Sequence, residues 1–194
     1  VKWYSAGQSL YSEAHHFDSA APLACNQAPP TNAQETSMSV STGQPVPDFT
    51  AIATGDTTVT LSELKGRQVV LFFYPKASTP GCTTEGGDFR DRKEAFEAAN
   101  TVILGVSRDG IRAQENFKAK QAFNYELISD KEETLCGLFD VIKLKKLYGK
   151  EHLGIERSTF LIDAEGNLAR EWRGVKVPGH AQEVLEAAQA LHAG

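Results

Sequence analysis

Apolar and polar residues follow two different periods along this chain, and each period predicts one kind of element. Short apolar runs and alternating runs predict strands over residues 47–53, 57–61, 69–74, 101–107, 126–128, 158–163 and 168–173. Apolar residues with a helical period predict helices over 80–99, 112–123, 131–140 and 180–191, and one helical turn at 62–66. This order indicates an α/β fold with a central mixed sheet, flanking helices and an N-terminal β-hairpin.

Local signals refine two of these helices. Phe89 and Phe96 stand one heptad apart, which predicts that both lie on the core face of the first helix. Ser129 and Asp130 suit the N-terminal cap of the third helix, whose acidic first turn complements the helix dipole.

The first 40 residues differ from the rest of the chain. They are rich in Ser, Ala, Asn, Gln and Pro and show no sustained periodicity, which is typical of flexible segments. We expect residues 1–40 to be a flexible or non-native extension and residues 41–194 to form the folded domain. Met38, the only methionine, is the expected natural start.

Composition excludes several classes of function. A chain of 194 residues with 41% apolar residues can bury one core, and a net charge of -5 provides no basic field for nucleic acid. No apolar run approaches the roughly 18 residues of a membrane span. Three scattered cysteines without a Cys-x-x-Cys pair predict neither a disulfide scaffold nor a metal site, and they favour a reducing cytoplasm.

One cysteine occupies a chemically special position. The predicted strand over 69–74 leads through two prolines and a glycine into the first helix. Thr79 suits the N-cap of this helix and Pro80 its first position, which places Cys82 among amides that have no helical partner. These amides and the positive end of the helix dipole favour a thiolate, so we expect Cys82 to be reactive.

The same segment resembles a known family. Pro75, Thr79 and Cys82 stand in the order Pro-x-x-x-Thr-x-x-Cys, which resembles the peroxidatic loop of the peroxiredoxins. The flanking Thr-Pro-Gly-Cys-Thr-Thr-Glu narrows the resemblance to the bacterioferritin-comigratory, or PrxQ, branch, over about 150 of the 194 residues. The resemblance implies a thioredoxin-like fold and a monomeric thiol peroxidase that reduces hydrogen peroxide and organic hydroperoxides without metal or organic cofactor.

A second segment, over 154–163, also matches this family. The resemblance implies that Arg157 lies beside Cys82, where a guanidinium can stabilise a thiolate and contact a peroxide oxygen. Cys82 would attack one peroxide oxygen and become a sulfenic acid. Arg157, the Thr79 hydroxyl and the first amides of the helix are the expected donors to the leaving oxygen, and Pro75 would shape the pocket.

The chain departs from its relatives where a resolving cysteine is expected. The two positions that the branch uses hold Gly87 and Lys118. Cys136 is the remaining candidate within the domain, although its amphipathic setting favours a buried core residue, and Cys25 could reach Cys82 only from the extension. We therefore expect a one-cysteine mechanism, in which thioredoxin, glutaredoxin or glutathione reduces Cys82.

Two other hypotheses remain open at this stage. The chain could be a thiol-disulfide oxidoreductase or redox sensor on the same fold, against which the missing Cys-x-x-Cys counts. It could also be a binding protein or holdase without turnover, in which case peroxide reduction would be negligible and the holdase activity would survive replacement of Cys82 by serine.

Overall fold

A seven-stranded mixed sheet organises the chain. The computed structural model describes residues 40–147 and 150–194. The strands are β1 (Thr50–Ala53), β2 (Thr57–Thr60), β3 (Gln68–Phe73), β4 (Thr101–Ser107), β5 (Glu126–Ser129), β6 (Ile142–Leu147), β7 (Lys150–Ile155), β8 (Ser158–Ile162) and β9 (Leu168–Trp172). The helices are α1 (Pro80–Asp91), α2 (Lys93–Ala98), α3 (Ile111–Gln121), α4 (Thr134–Leu138) and α5 (His180–Ala193), with one 3-10 turn at Leu61–Leu64.

The sheet order is β2-β1-β5-β4-β3-β8-β9, which places β3 in the interior of the sheet. β3 pairs in parallel with β4, and β4 in parallel with β5, whereas β8 runs antiparallel to β3. β1 and β2 form the antiparallel N-terminal hairpin that the sequence predicts, and β8 and β9 form the second predicted hairpin. β6 and β7 form a separate two-stranded sheet.

Alternate residues of β3 and the residue after it enter two cores on opposite faces of the sheet. Val69, Leu71 and Phe73 join a cluster that includes Cys136, which we call the Cys136 core. Val70, Phe72 and Tyr74 join a cluster that includes Cys82, which we call the Cys82 core. All six residues are buried, which explains why β3 reads in the sequence as a continuous apolar run.

Helices cover both faces, as predicted. Phe89 of α1, Phe96 of α2 and Phe117 of α3, with Val184 of α5, pack into the Cys82 core, and the predicted pairing of Phe89 and Phe96 on one core face is confirmed. On the opposite face, Leu135 of α4 packs into the Cys136 core. In the described part of the chain, no helix has the length and apolar character that crossing a membrane requires.

Two helix predictions are wrong in extent. The helix predicted over 80–99 is two helices, because Arg92 leaves the helical conformation and its amide bonds to the Phe89 carbonyl. The helix predicted over 131–140 begins only at Thr134, after Glu133 in the left-handed conformation (φ 58°). Asp130 still caps it, since its carboxylate accepts the amide N–H groups of residues 135 and 136 at 3.1 and 2.7 Å.

The hairpin of β6 and β7 is an element for which the sequence analysis made no prediction. Its strands pair in register from Ile142 opposite Ile155 to Leu147 opposite Lys150. The predicted extension over 1–40 lies outside the described residues, apart from Val40, so the domain boundary at residue 41 stays a prediction.

Candidate functional site

Cys82 lies where β3 delivers the chain into α1. Pro80 and Gly81 precede it in the first turn, and the Thr83 amide makes the first helical bond, to the Thr79 carbonyl at 2.9 Å. The amides of Gly81 and Cys82 therefore come before the first hydrogen bond of the helix. Cys82 is 2% exposed. A peroxide would thus meet the sulfur at the positive end of α1, with little surrounding water.

Arg157 reaches the same sulfur from the segment between β7 and β8. Its Nη2 donates to Cys82 Sγ at 3.3 Å. The Arg157 backbone is fixed by a bond from the Val175 amide to its carbonyl, at 2.9 Å. The structure therefore brings together Cys82 and Arg157, which are 75 residues apart in the sequence.

Glu85 is a further member of the site, to which the sequence analysis gave no role. One carboxylate oxygen accepts a hydrogen bond from Arg157 Nη1, so this guanidinium bridges Glu85 and Cys82. Glu85 is 1% exposed, and its other oxygen, Oε1, has no hydrogen-bond partner among the described residues. Glu85 is one turn after Cys82 on α1, so both side chains lie on one face of the helix.

Burial affects the Glu85 carboxylate and the Arg157 guanidinium of this ion pair differently. Burial raises the pKa of Glu85 to about 7, although the nearby Arg157 charge and hydrogen bond oppose the rise. Burial also acts against the charged form of Arg157, but attraction to Glu85 and Cys82 outweighs it and raises the pKa of the guanidinium. Arg157 therefore stays positive, while Glu85 changes charge near neutral pH.

Thr79 and Pro75 lie on the loop before Cys82. Thr79 is the N-cap residue of α1, as predicted, but its side chain does not cap a helix amide. Its hydroxyl donates instead to the Lys76 carbonyl at 2.9 Å. Pro75 is half-buried directly after the buried Tyr74. A Thr79 hydroxyl that donates to a peroxide must first rotate away from Lys76.

A polar network behind the loop sets its position. Asp109 Oδ2 accepts the Ala77 amide at 2.7 Å and the Ser107 hydroxyl at 2.8 Å. Ser107 in turn accepts from Gln114 Nε2 at 2.8 Å, and the hydroxyl of the buried Tyr74 donates to Gln114. Burial raises the pKa of this tyrosine. The network ties the loop to β4 and α3, which holds Cys82 in register with Arg157.

Close packing explains two of the glycines in and near α1. A side chain at Gly81 would place its Cβ 3.3 Å from Arg157 Nη2. At Gly86 the Cβ would lie 2.5 Å from the ring of Phe123. The Gly86 carbonyl also accepts from the Tyr125 hydroxyl at 2.8 Å. Gly86 therefore allows α1 to pack directly on two aromatic rings, one helical turn after Cys82.

Cys136 is not close to Cys82. It is fully buried in the Cys136 core, whereas Cys82 lies in the core on the other face of the sheet. Burial raises the pKa of the Cys136 thiol strongly, and its contact with Asp130 raises it further. The third cysteine, Cys25, lies outside the described residues.

The two positions at which the family resemblance leads us to expect a resolving cysteine hold Lys118 and Gly87. Lys118 on α3 forms an ion pair with Glu126 at 2.5 Å. Gly87 is half-buried on α1, and Arg90 Nη2, at 3.8 Å, is the atom nearest to the position of its Cβ.

A groove of about 850 Å³ lies elsewhere on the fold. It is lined by β1, the start of α3 and the turn between β5 and α4, including Ile52 and Ile111. Cys82, Thr79 and Arg157 do not line it. In the described ranges, no group of three or more His, Cys, Asp or Glu side chains is arranged to hold a metal ion.

Comparison with known proteins gives consistent matches. Residues 42–171 match the model of the AhpC/TSA family. The Peroxiredoxin Bcp of Xanthomonas campestris pv. campestris is 52% identical over 143 residues, which are 74% of this chain and 89% of that protein. The Peroxiredoxin Bcp of Bacillus subtilis is 50% identical over 149 residues, or 77% of this chain and 95% of that protein.

A solved structure agrees with these matches. The Xanthomonas campestris bacterioferritin comigratory protein, studied for alkyl peroxide reduction in trapped intermediate and ligand complexes, has a TM-score of 0.74 and 48% identity. The match covers 78% of this chain and 99% of that one. The thioredoxin-like fold expected from the sequence is therefore confirmed.

Proposed function

Because the chain belongs to the AhpC/TSA family, and within it to the Bcp or PrxQ peroxiredoxins, and is a thiol peroxidase, we propose that Cys82 is its peroxidatic residue. The observation that carries this proposal is the 3.3 Å contact between Arg157 Nη2 and Cys82 Sγ at the N-terminus of α1. The positive Arg157 side chain lies against the sulfur there, at the positive end of the helix, and both stabilise the attacking thiolate.

The proposed reaction is a displacement at the peroxide bond. The Cys82 thiolate attacks one oxygen of the hydroperoxide, and the sulfur–oxygen bond forms while the oxygen–oxygen bond breaks. Two electrons pass from sulfur to the peroxide, Cys82 becomes a sulfenic acid, and the leaving oxygen takes a proton from solvent and departs as water or an alcohol. Arg157 and the amides of Gly81 and Cys82 stabilise the charge on that oxygen.

Glu85 has a positioning role in this proposal. It binds Nη1 of Arg157, which leaves Nη2 directed at the sulfur. A guanidinium held at two points loses less conformational freedom when a peroxide enters, so less binding energy is spent on ordering it. Pro75 shapes the entrance, and the Thr79 hydroxyl becomes a donor once it leaves the Lys76 carbonyl.

The proposed substrates are hydrogen peroxide and organic hydroperoxides. The relative from Xanthomonas campestris is described by its alkyl peroxide reduction activity, and 48% identity over nearly its whole length makes a similar substrate range the natural expectation for this chain. No metal or organic cofactor enters the proposed reaction.

We propose a one-cysteine mechanism with an external thiol reductant such as thioredoxin, glutaredoxin or glutathione. Cys136 lies on the other face of the sheet with a thiol that resists ionisation. Cysteine-to-serine mutants of the Xanthomonas campestris Peroxiredoxin Q have been made at two positions, separated by the same number of residues as Cys82 and Lys118. A lysine therefore stands where that spacing would place the second cysteine.

The experiment is peroxide turnover with each reductant for the wild-type chain, Cys82→Ser and Cys136→Ser. We expect Cys82→Ser to lose activity with hydrogen peroxide and with an organic hydroperoxide, and Cys136→Ser to retain it. Peroxide turnover that survives in Cys82→Ser would refute the proposal, and negligible peroxide turnover in the wild-type chain would favour a holdase role. Loss of activity in a folded Cys136→Ser variant would identify Cys136 as the resolving residue.

A further inference from the structure

Two buried acidic groups share the positive charge of Arg157. Nη2 of the guanidinium donates to Cys82 Sγ at 3.3 Å, and Nη1 donates to the Glu85 carboxylate. Cys82 is 2% exposed and Glu85 is 1% exposed. Removing an ionised group from water costs free energy unless a group of opposite charge compensates for it. One guanidinium therefore serves two groups, a thiol and a carboxyl, that can each carry a negative charge.

The other groups that face Glu85 do not help it to ionise. Asp88, on the same helix, repels the Glu85 charge and thereby raises the pKa of this carboxyl. Tyr125, directly before β5, stays neutral because burial raises its pKa well above the ordinary value. Among the described residues, Glu85 Oε1 has no hydrogen-bond partner. The negative charge of Glu85 therefore depends on Arg157, for which Cys82 competes.

Oxidation of the sulfur changes which group holds the negative charge. The Cys82 thiolate is negative, whereas the sulfenic acid that replaces it is neutral while it keeps its proton. After the first oxidation, Glu85 is the acid that remains bound to Arg157. Burial raises the pKa of Glu85 to about 7, and the loss of a negative neighbour favours its ionisation. At neutral pH the guanidinium is then paired with the carboxylate and no longer with an anionic sulfur.

This change matters because a second peroxide can destroy the oxidised enzyme. The sulfenic acid first loses its proton to solvent, and the sulfenate sulfur then attacks another hydroperoxide. A second sulfur–oxygen bond forms while the oxygen–oxygen bond breaks, two electrons pass from sulfur to the peroxide, and the products are a sulfinate and water or an alcohol. Thiols do not reduce a sulfinate, so this step ends catalysis. A one-cysteine enzyme is exposed to it until an external thiol arrives.

We propose that Glu85 protects Cys82 from this second oxidation, because its carboxylate takes over the charge of Arg157 once the sulfenic acid has formed. The sulfenate needs the same guanidinium, both to be stable in a buried site and to stabilise the second leaving oxygen. Beside an ionised Glu85, it would be a second negative charge on one cation. The inference rests on the proposed one-cysteine function and adds to the positioning role of Glu85.

The test compares wild type with Glu85→Gln and with the control Glu94→Gln, which makes the same change at an exposed residue of α2. Glutamine can still accept a hydrogen bond from Arg157 but has no charge, and removing a buried charge favours a folded variant. Each reduced protein receives increasing hydrogen peroxide without any thiol. Stopped flow gives the rate constants of the two oxidations, and peptide mass spectrometry counts one or two added oxygens on Cys82.

The measured quantity is the ratio of the second rate constant to the first. It is compared at an alkaline pH where the thiolate absorbance of Cys82 no longer increases, so that the first oxidation gains nothing from loss of the Glu85 charge. We expect the ratio to rise about tenfold in Glu85→Gln, as for a shift of about one pH unit in sulfenic acid ionisation. Glu94→Gln should keep the wild-type ratio.

A purely structural role of Glu85 predicts a different result. A loosened Arg157 would slow both oxidations together and leave their ratio unchanged, and this outcome would overturn the proposal. The second rate constants of wild type and Glu85→Gln should also converge as the pH falls from about 7 to about 5, because a protonated Glu85 has no charge to offer Arg157. A difference that is independent of pH would equally overturn it.

Failure of the proposed function would be recognised separately. A wild-type chain in which Cys82 takes up no first oxygen would refute the peroxidatic role itself, and the same experiment shows this before any second oxidation occurs. A variant that takes up the first oxygen but keeps the wild-type ratio would refute the protective role of Glu85 alone.

Discussion

Replacing Glu85 with glutamine tests the bridge between Arg157 and Cys82. Burial raises the pKa of Glu85 from 4.5 to about 7. The charged form is therefore disfavoured in the folded state, so the full stability is present below pH 4.5 and part of it is lost as pH rises toward 7. This rise in pKa from 4.5 to about 7 lowers the free energy of unfolding at high pH by about 3 kcal/mol in total. Most of this decrease occurs as the pH rises from about 5 to about 8.

Glu85→Gln has no charge to bury, so its free energy of unfolding should not show this loss. We expect the difference in unfolding free energy, variant minus wild type, to increase by about 2 kcal/mol between pH 5 and pH 8. Urea unfolding followed by circular dichroism at several pH values measures it. Glu94→Gln, which makes the same change at an exposed carboxylate on α2, is the matched control and should show no such trend.

The same variant separates stability from catalysis. Arg157 would lose its charged anchor, so the second-order rate of Cys82 oxidation should fall about tenfold, even where the variant is the more stable protein. Free energies of unfolding that stay parallel across the pH range would refute the account of a buried carboxylate that ionises near pH 7. An unchanged oxidation rate would refute the positioning role of Glu85.

Two other substitutions have defined outcomes. Arg157→Lys keeps the charge but cannot bridge Glu85 and Cys82 with two nitrogens, so Cys82 oxidation measured by stopped flow should slow by about 100-fold; a rate within twofold of wild type would contradict this role. Gly86→Ala should lower the free energy of unfolding by about 1–3 kcal/mol, because its Cβ would lie 2.5 Å from the Phe123 ring. Gly87→Ala would place its Cβ 3.8 Å from Arg90 Nη2, an ordinary contact, and should instead raise the free energy of unfolding by up to about 1 kcal/mol. Equal effects of the two changes in urea unfolding would contradict the packing argument.

The sequence was sufficient for the parts of the fold that have strong local signals. β3 and β4 are apolar runs bounded by polar residues, and both strands appear within one residue of their predicted limits. The β8–β9 hairpin is marked by the turn around Gly166, which has a positive φ of 95°. The arrangement of Cys82 and Arg157 was accessible only through the family pattern, because nothing local to Arg157 distinguishes it from a surface arginine.

Other features depend on contacts that the local sequence does not encode. In the sequence, Glu85 is an ordinary acidic residue of a helix, and only its burial against Arg157 reveals its role. The break at Arg92 has neither glycine nor proline to mark it. The late start of α4 depends on an Asp130 carboxylate that reaches amides five and six residues away. The β6–β7 hairpin exposes much of its surface, so its sequence mixes lysines with leucines. It therefore has no continuous apolar run of the kind that predicts a core strand.

The central claim is that Cys82 alone carries the oxidised state. The most direct measurement is the intact mass of the reduced protein after one equivalent of hydrogen peroxide, with free thiols blocked and the modified peptide mapped. The account predicts a gain of one oxygen on the Cys82 peptide, which a sulfenic-acid reagent traps. A loss of two hydrogens with Cys82 linked to Cys136 or Cys25 would contradict it, and so would an unmodified Cys82.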